Sequence, residues 1–369
     1  MTSKKPPFRA DHVGSLLRPA ALRHAFKQFD QGEIDAAQFR AVQDDSIRAV
    51  VRLQEEVGLQ SITDGEFRRV SYWAHFVEKV AGLGVKTAVF TFHDDNQQEQ
   101  NFLCPHVEGR VERTQPISGD EFDFLRQTTR QTPKTTLPSP PTMHFWRGQQ
   151  GIDPAAYADP DAFFADLAAV YRAEIADLVA RGSTYIQLDE VPLAMLCDPN
   201  VRERLRAAGS DPDQLVNSYV KLINDALAER PSTLTVAMHL CRGNYKGKWL
   251  SEGGYGYVAE KLFNDINVDA FFLEYDTPRA GDFTPLSLFP RGKTAVLGLI
   301  SSKTPQLEPL DDLRRRLDEA SRHVPLEQLA VSPQCGFAST VAGNPVTEDD
   351  QRRKLALVVE LAERVWGAE

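Results

Sequence analysis

Eight strand-like apolar segments, each followed by a helix or a long connection, predict an α/β chain folded as a (β/α)8 TIM barrel with a β-hairpin insertion. Three observations carry that expectation. Beyond about residue 160, helical and strand patterns alternate, which implies a parallel sheet. Ser15, Glu66, Asp189, His239, Glu274, Lys303 and Cys335 fall at or just beyond the carboxyl ends of strand candidates, the face where such barrels place their chemistry. No Gly-x-Gly-x-x-Gly follows the first strand, which disfavours an open doubly wound sheet.

Taken in order, Phe8-Arg9-Ala10-Asp11-His12-Val13-Gly14-Ser15 reads as a short strand running into a loop, and Arg18-Pro19 opens a helix. Phe39, Val42, Ile47, Val50, Val51 and Leu53 recur near helical spacing and predict a helix over about 36–57, stopped by Gly58. Gln60-Ser61-Ile62-Thr63-Asp64-Gly65-Glu66 is a strand that ends in acids. Over about 82–119 the pattern changes: Val85, Thr87, Val89 and Thr91, then Val107 and Val111, flank the polar turn Asp94-Asp95-Asn96-Gln97-Gln98, a hairpin excursion. Lys134-Thr135-Thr136-Leu137-Pro138 is a strand cut short by prolines. Helices over about 161–181, 213–230, 255–264, 310–323 and 348–365 then alternate with strands that begin near Tyr185, Thr235, Ala270, Thr294 and Leu329. The 369 residues are read as one domain, somewhat longer than the ~250 residues usual for such a barrel. The hairpin absorbs part of the excess.

Composition narrows the functional classes. With 42% apolar residues the core is ample, so neither disulfides nor a metal is needed merely to fold. A net charge of −10 without a basic stripe disfavours nucleic-acid binding. No apolar run approaches the ~20 residues that span a bilayer, and Lys4-Lys5-Pro6-Pro7 is not followed by an apolar signal segment. Four cysteines in so long a chain are no disulfide framework; a reducing cytoplasm is the expected home and would keep thiolates available.

The most informative stretch is Thr235-Val236-Ala237-Met238-His239-Leu240-Cys241, where residues two apart on a strand project to one side. Ala270-Phe271-Phe272-Leu273-Glu274 ends likewise in a carboxylate, and Leu329-Ala330-Val331-Ser332-Pro333-Gln334-Cys335 in a thiol. One imidazole, one carboxylate and two thiols have the composition of a Zn2+ site. Singly, His239 reads as a satisfied core histidine and Cys241 as a small buried hydrophobe; together, at one topological position, the four point to metal. Cys104 and Cys197 are read as ordinary cysteines. So many anionic ligands make the metal a modest activator of water but a suitable holder of an incoming thiolate, the chemistry of alkyl transfer.

At these residues the chain resembles the cobalamin-independent methionine synthases, specifically their C-terminal catalytic barrel, from Val13-Gly14-Ser15 to the last helix, and looks like a shorter, single-barrel branch. The resemblance implies Zn2+ held by His239, Cys241, Glu274 and Cys335. Gln187-Leu188-Asp189-Glu190 matches the homocysteine-binding strand, so Asp189 would hold the substrate ammonium, with Glu66 a second partner and Ser15 a carboxylate ligand. Helix capping is the bland role for Asp189 and Glu66. Trp146 would stack on a pterin or serve packing alone. The family's catalytic histidine after the seventh strand is replaced in Ser301-Ser302-Lys303-Thr304-Pro305 by Lys303, a poorer acid–base group unless burial lowers its pKa. Lys303 could equally pair with an anionic group of the substrate or donor. The expected activity is methyl transfer to homocysteine from methyltetrahydrofolate or a methylcorrinoid. Other readings stay open beside it: alkyl transfer to another small thiol, as in epoxide opening by coenzyme M, transfer from other methylated sulfur compounds, and a non-catalytic homocysteine-binding zinc protein.

Overall fold

The computed structural model describes residues 5–94, 96 and 98–367, so Lys4 and, of the expected turn, Asp95 and Gln97 lie outside it. In chain order the elements are α1 (Ala20–Asp30), α2 (Ala36–Glu56), β1 (Ser61–Ile62), α3 (Ala74–Lys79), β2 (Val80–Thr87), β3 (Leu103–Arg113), α4 (Gly119–Thr128), β4 (Thr132–Pro133), β5 (Thr135–Pro138), α5 (Pro160–Ala180), β6 (Tyr185–Glu190), α6 (Pro192–Met195), α7 (Pro199–Ala207), α8 (Pro212–Leu227), β7 (Thr235–Leu240), α9 (Ala259–Asp265), β8 (Ala270–Glu274), β9 (Thr294–Ile300), α10 (Leu310–Ala320), β10 (Leu329–Pro333) and α11 (Glu348–Trp366). Helix starts follow local chemistry. Asp35 and Gln38 form a capping box on α2, as Thr347 and Asp350 do on α11. Asp159, Asp198 and Asp211, each followed by proline, cap α5, α7 and α8.

Strands β5 to β10 pair in sequence order as a six-stranded parallel sheet with helices between them, the arrangement of a TIM-like barrel. At one edge Ala10 forms a parallel bridge to Val331 of β10. At the other, β1 pairs with β4, and Lys134 N–H donates to the Ile62 carbonyl at 2.8 Å just before β5 begins. Three expected strands are therefore reduced, the second of them to Ser61–Ile62 alone. The first is a single bridge, because Asp11 and His12 meet β1 through side chains: Ser61 Oγ donates to Asp11 Oδ1 at 2.6 Å, and His12 Nε2 lies 3.1 Å from the Ser61 carbonyl. The third is split around Lys134, with Pro133 and Pro138 removing backbone donors. The antiparallel pair β2–β3 is the hairpin excursion, beginning slightly before the expected span.

Two layers of burial position the site. Most apolar side chains pack between sheet and helices. A separate cluster of Val13, Tyr185, Ala237, Ala270, Phe272, Val296 and Ala330 fills the concave side. With a side-chain period of two, Ala237 is followed on its face by His239 and Cys241, Phe272 by Glu274, and Tyr185 by Gln187 and Asp189. The inner face thus changes from apolar to ionisable toward the carboxyl ends of the strands.

Candidate metal centre and cavity

His239, Cys241 and Cys335 come together: one ligand atom from each lies within 4.8 Å of the others, all buried. The two thiol sulfurs are 3.4 Å apart. Cys335 arrives by an irregularity. The pairing of β10 with β9 shifts between Ser332 and Pro333, which breaks the alternation running from Ala330. Neither ring nitrogen of His239 has an oxygen or nitrogen partner; the ring faces the Cys335 thiol. Buried nitrogens are rarely left so, and a metal would satisfy one of them.

Glu274, the fourth expected ligand, stands outside this group of three. Its Oε2 accepts the Arg242 backbone N–H at 2.9 Å and lies 4.0 Å from Arg242 Nη1. Its Oε1 is buried without a partner. Arg242 is itself fixed over the Tyr255 ring at 4.3 Å and donates from Nε to the Gly253 carbonyl at 2.9 Å. The donor set therefore fits a thiolate-rich metal site: three ligands are convergent, and a carboxylate beside them has one free oxygen.

Electrostatics organise the thiols. Hydrogen bonding from Cys241 holds the Cys335 thiol well below its usual range, helped by His239 and Lys303 against the effect of burial. The same contact and burial push Cys241 up. Lys303 is buried, and its Nζ has no hydrogen-bond partner. Burial alone would lower its pKa, but Glu274, Cys241 and Cys335 more than offset this and raise it. The lowering that an acid–base role requires is thus reversed.

A cavity of about 580 Å³ opens onto His239, Cys241 and Cys335, and Ser15, Glu66, Asp189 and Trp146 line it too. Gln187 Nε2 donates to Asp189 Oδ1 at 2.8 Å and to the Val13 carbonyl at 2.6 Å. Burial, reinforced by Glu66, raises Asp189 to about 7. Glu66 is held at φ 60, a conformation a non-glycine residue rarely adopts. Thr136 Oγ1 donates to its Oε1 at 2.8 Å, while Oε2 is buried without a partner. Ser15 abuts Gly336, where any Cβ would collide with its hydroxyl oxygen. Trp146 packs edge-on against Phe102 at 5.2 Å, with its indole N–H unpartnered. Lys303 is not among the lining residues.

Sequence reasoning missed Arg242, Tyr72 and Asn244. Arg242 and Asn244 directly follow the His239/Cys241 pair, and that position was the available signal. Asn244 Nδ2 donates to the Gly336 carbonyl at 2.7 Å and ties the two ligand-bearing loops together. Tyr72 lies in an irregular segment anchored by its N–H to the Ser339 carbonyl at 2.9 Å, and no periodicity marks it.

Comparison with known proteins places the chain in a family. A family model described as cobalamin-independent synthase, catalytic domain, matches residues 8–364. Two uncharacterized Bacillus subtilis proteins, YxjH and YxjG, are 40% and 42% identical, each aligned over 98% of this chain and 96% of its own length. A methionine synthase of Pyrococcus abyssi is 28% identical over 88% of this chain and 85% of its own length. A Listeria monocytogenes structural-genomics target assigned as a vitamin-B12-independent methionine synthase superposes with a TM-score of 0.77 at 35% identity, covering 99% of both chains.

Proposed function

Since the chain belongs to the cobalamin-independent methionine synthase family, we propose that it is a zinc-dependent methyltransferase that converts homocysteine to methionine. The supporting observation is the convergence of His239, Cys241 and Cys335 at the floor of a cavity whose wall carries Asp189, Glu66 and Ser15. Zinc held by these three residues and Glu274 would supply the positive charge that keeps an incoming thiol ionised at neutral pH. The chain's own residues do the rest. Asp189, oriented by Gln187, and the free oxygen of Glu66 offer two acceptors to a substrate ammonium. The Ser15 hydroxyl, exposed to the cavity by the bare Cα of Gly336, is placed to donate to a carboxylate. Arg242 and Tyr255 hold Glu274 from behind, leaving one carboxylate oxygen free to engage or withdraw. We read the whole chain as one (β/α)8 barrel, its seam between residues 10–14 and β1 made largely by side chains.

A methylated folate or a methylcorrinoid are the donors the resemblance implies. The sulfonate-thiol alternative requires a cation in the cavity. Among the described residues no Lys or Arg lines it, so homocysteine is the better-supported acceptor. The test is Cys335→Ser, assayed for bound zinc and for homocysteine binding by calorimetry. Metal content should fall and homocysteine affinity drop at least about tenfold. Equal homocysteine binding by the metal-free wild type would overturn the zinc-thiolate reading.

A further inference from the structure

A lysine stands in the otherwise apolar interior of the sheet. Lys134 is buried, with its ammonium over the rings of Phe272 and Tyr185 at 4.7 and 5.2 Å. Its three N–H groups are met by three oxygens: Asp11 Oδ1 at 2.8 Å, the His12 carbonyl, and Gln187 Oε1 at 3.2 Å. Burying an ion pair adds little net stability, because desolvation offsets the attraction. Closing the seam between residues 10–14 and β1 therefore does not by itself account for a lysine here.

The third contact leads to the cavity. Gln187 is buried, and its amide is committed on both sides: Oε1 accepts from Lys134, while Nε2 donates to the Val13 carbonyl at 2.6 Å and to Asp189 Oδ1 at 2.8 Å. An ammonium cannot accept a hydrogen bond and a carbonyl cannot donate one, so this amide has one orientation. Lys134 grips both of its sides, Oε1 directly and the Val13 carbonyl through the bond to the neighbouring His12 carbonyl. Asp189 lines the cavity, whereas Lys134 and Gln187 do not. Building on the reading of homocysteine as the acceptor, we propose that Lys134 is a positioning residue for the substrate ammonium: it sets the Gln187 amide, which sets the plane of the Asp189 carboxylate. Without the lysine, Gln187 Oε1 loses its partner, the amide is free to turn, and Asp189 loses its fixed orientation. Glu66 is held separately, by Thr136. Recognition of the ammonium then weakens, while the thiol and the carboxylate of the ligand are held as before.

The experiment compares homocysteine with 4-sulfanylbutanoate, which has the same thiol and carboxylate but no amino group, by calorimetry on zinc-loaded protein. The wild type should prefer homocysteine at least about tenfold, the scale of hydrogen bonds to charged groups. Asp11→Asn/Lys134→Met removes both charges, so that neither is left buried alone. That protein and Gln187→Met should each lose at least about fivefold of the preference, with affinity for 4-sulfanylbutanoate held within about twofold. Combining them should lower the preference no further than either alone, because both act through one amide. Lys134→Gln, neutral and shorter, gives a second reading with the same expected direction. A preference kept in both Lys134 variants, equal losses for the two thiols, or losses that add independently would overturn the assignment while leaving homocysteine as the acceptor. Wild-type protein that binds the two thiols equally, or binds neither, would overturn the substrate reading and this assignment with it.

Discussion

Lys303 presents a buried ammonium, without a hydrogen bond, to Glu274, Cys241 and Cys335. In the proposed zinc site two thiolates and a carboxylate would bring three negative charges to a divalent ion, and the lysine would cancel the one left over. Its contribution is therefore expected to be electrostatic. Lys303→Met should weaken zinc retention by roughly 10–100-fold in a chelator competition, the usual effect of removing a group behind the ligands, and Lys303→Arg should largely restore it. Equal retention in all three proteins would make the residue a bystander. Residues of this kind differ in how far the sequence reveals them. The placement of His239, Cys241 and Asp189 on the cavity side was legible because two-residue periodicity carries an inner face past the end of a strand, while the same period brings Glu274 to its strand end but outside the convergent group. Cys335 was found by composition, since the shift at Pro333 defeats that parity argument. Arg242 and Tyr72 act through irregular backbone, where no period exists to read.

At the level of elements, the seam between residues 10–14 and β1 is where pattern reasoning fell short. A strand was expected, but a cluster of buried polar side chains does the joining. Lys134 Nζ bonds Asp11 Oδ1 at 2.8 Å and the His12 carbonyl, and Tyr185 donates to Asp11 Oδ2 at 3.0 Å. The long amphipathic helices were readable because they bury one face, whereas α3, α4 and α7 are short and set by their neighbours. The seam carries a pH signature. Burial, with Lys134 adding to it, lowers His12 to about 4, and its ring donates from Nε2 to the Ser61 carbonyl. An unfolded histidine titrates near 6.5, so between 6.5 and 4 the unfolded chain binds a proton that the folded one refuses. Stability should therefore fall as pH drops through that window and level off below it. His12 accounts for about 2 kcal/mol of the loss between pH 7 and 5. Urea midpoints measured across that range should be flatter by this amount in His12→Gln, which retains a donor. An unchanged slope would mean that the ring accepts a proton in the folded state.

For the molecule as a whole, the question is whether the proposed zinc would be needed for the fold or only for the chemistry. Its candidate ligands sit at the ends of strands β7 and β8 and just beyond β10, and the interior of those strands is apolar and buried without any contribution from the ion. Asn244 and Arg242 tie the ligand-bearing loops to backbone carbonyls independently of it. Removing zinc should thus leave far-UV circular dichroism unchanged and abolish methyl transfer. Its stabilisation follows mass action, about 4 kcal/mol when free metal exceeds its dissociation constant a thousandfold. Spread over a chain of this size, that amounts to a fall in melting temperature of only several degrees. The metal-free protein would retain its cavity and could be titrated with homocysteine directly, which separates the contribution of the metal from that of the cavity wall. Global unfolding on chelation would show instead that the three convergent ligands clamp the sheet, and would make the metal part of the core.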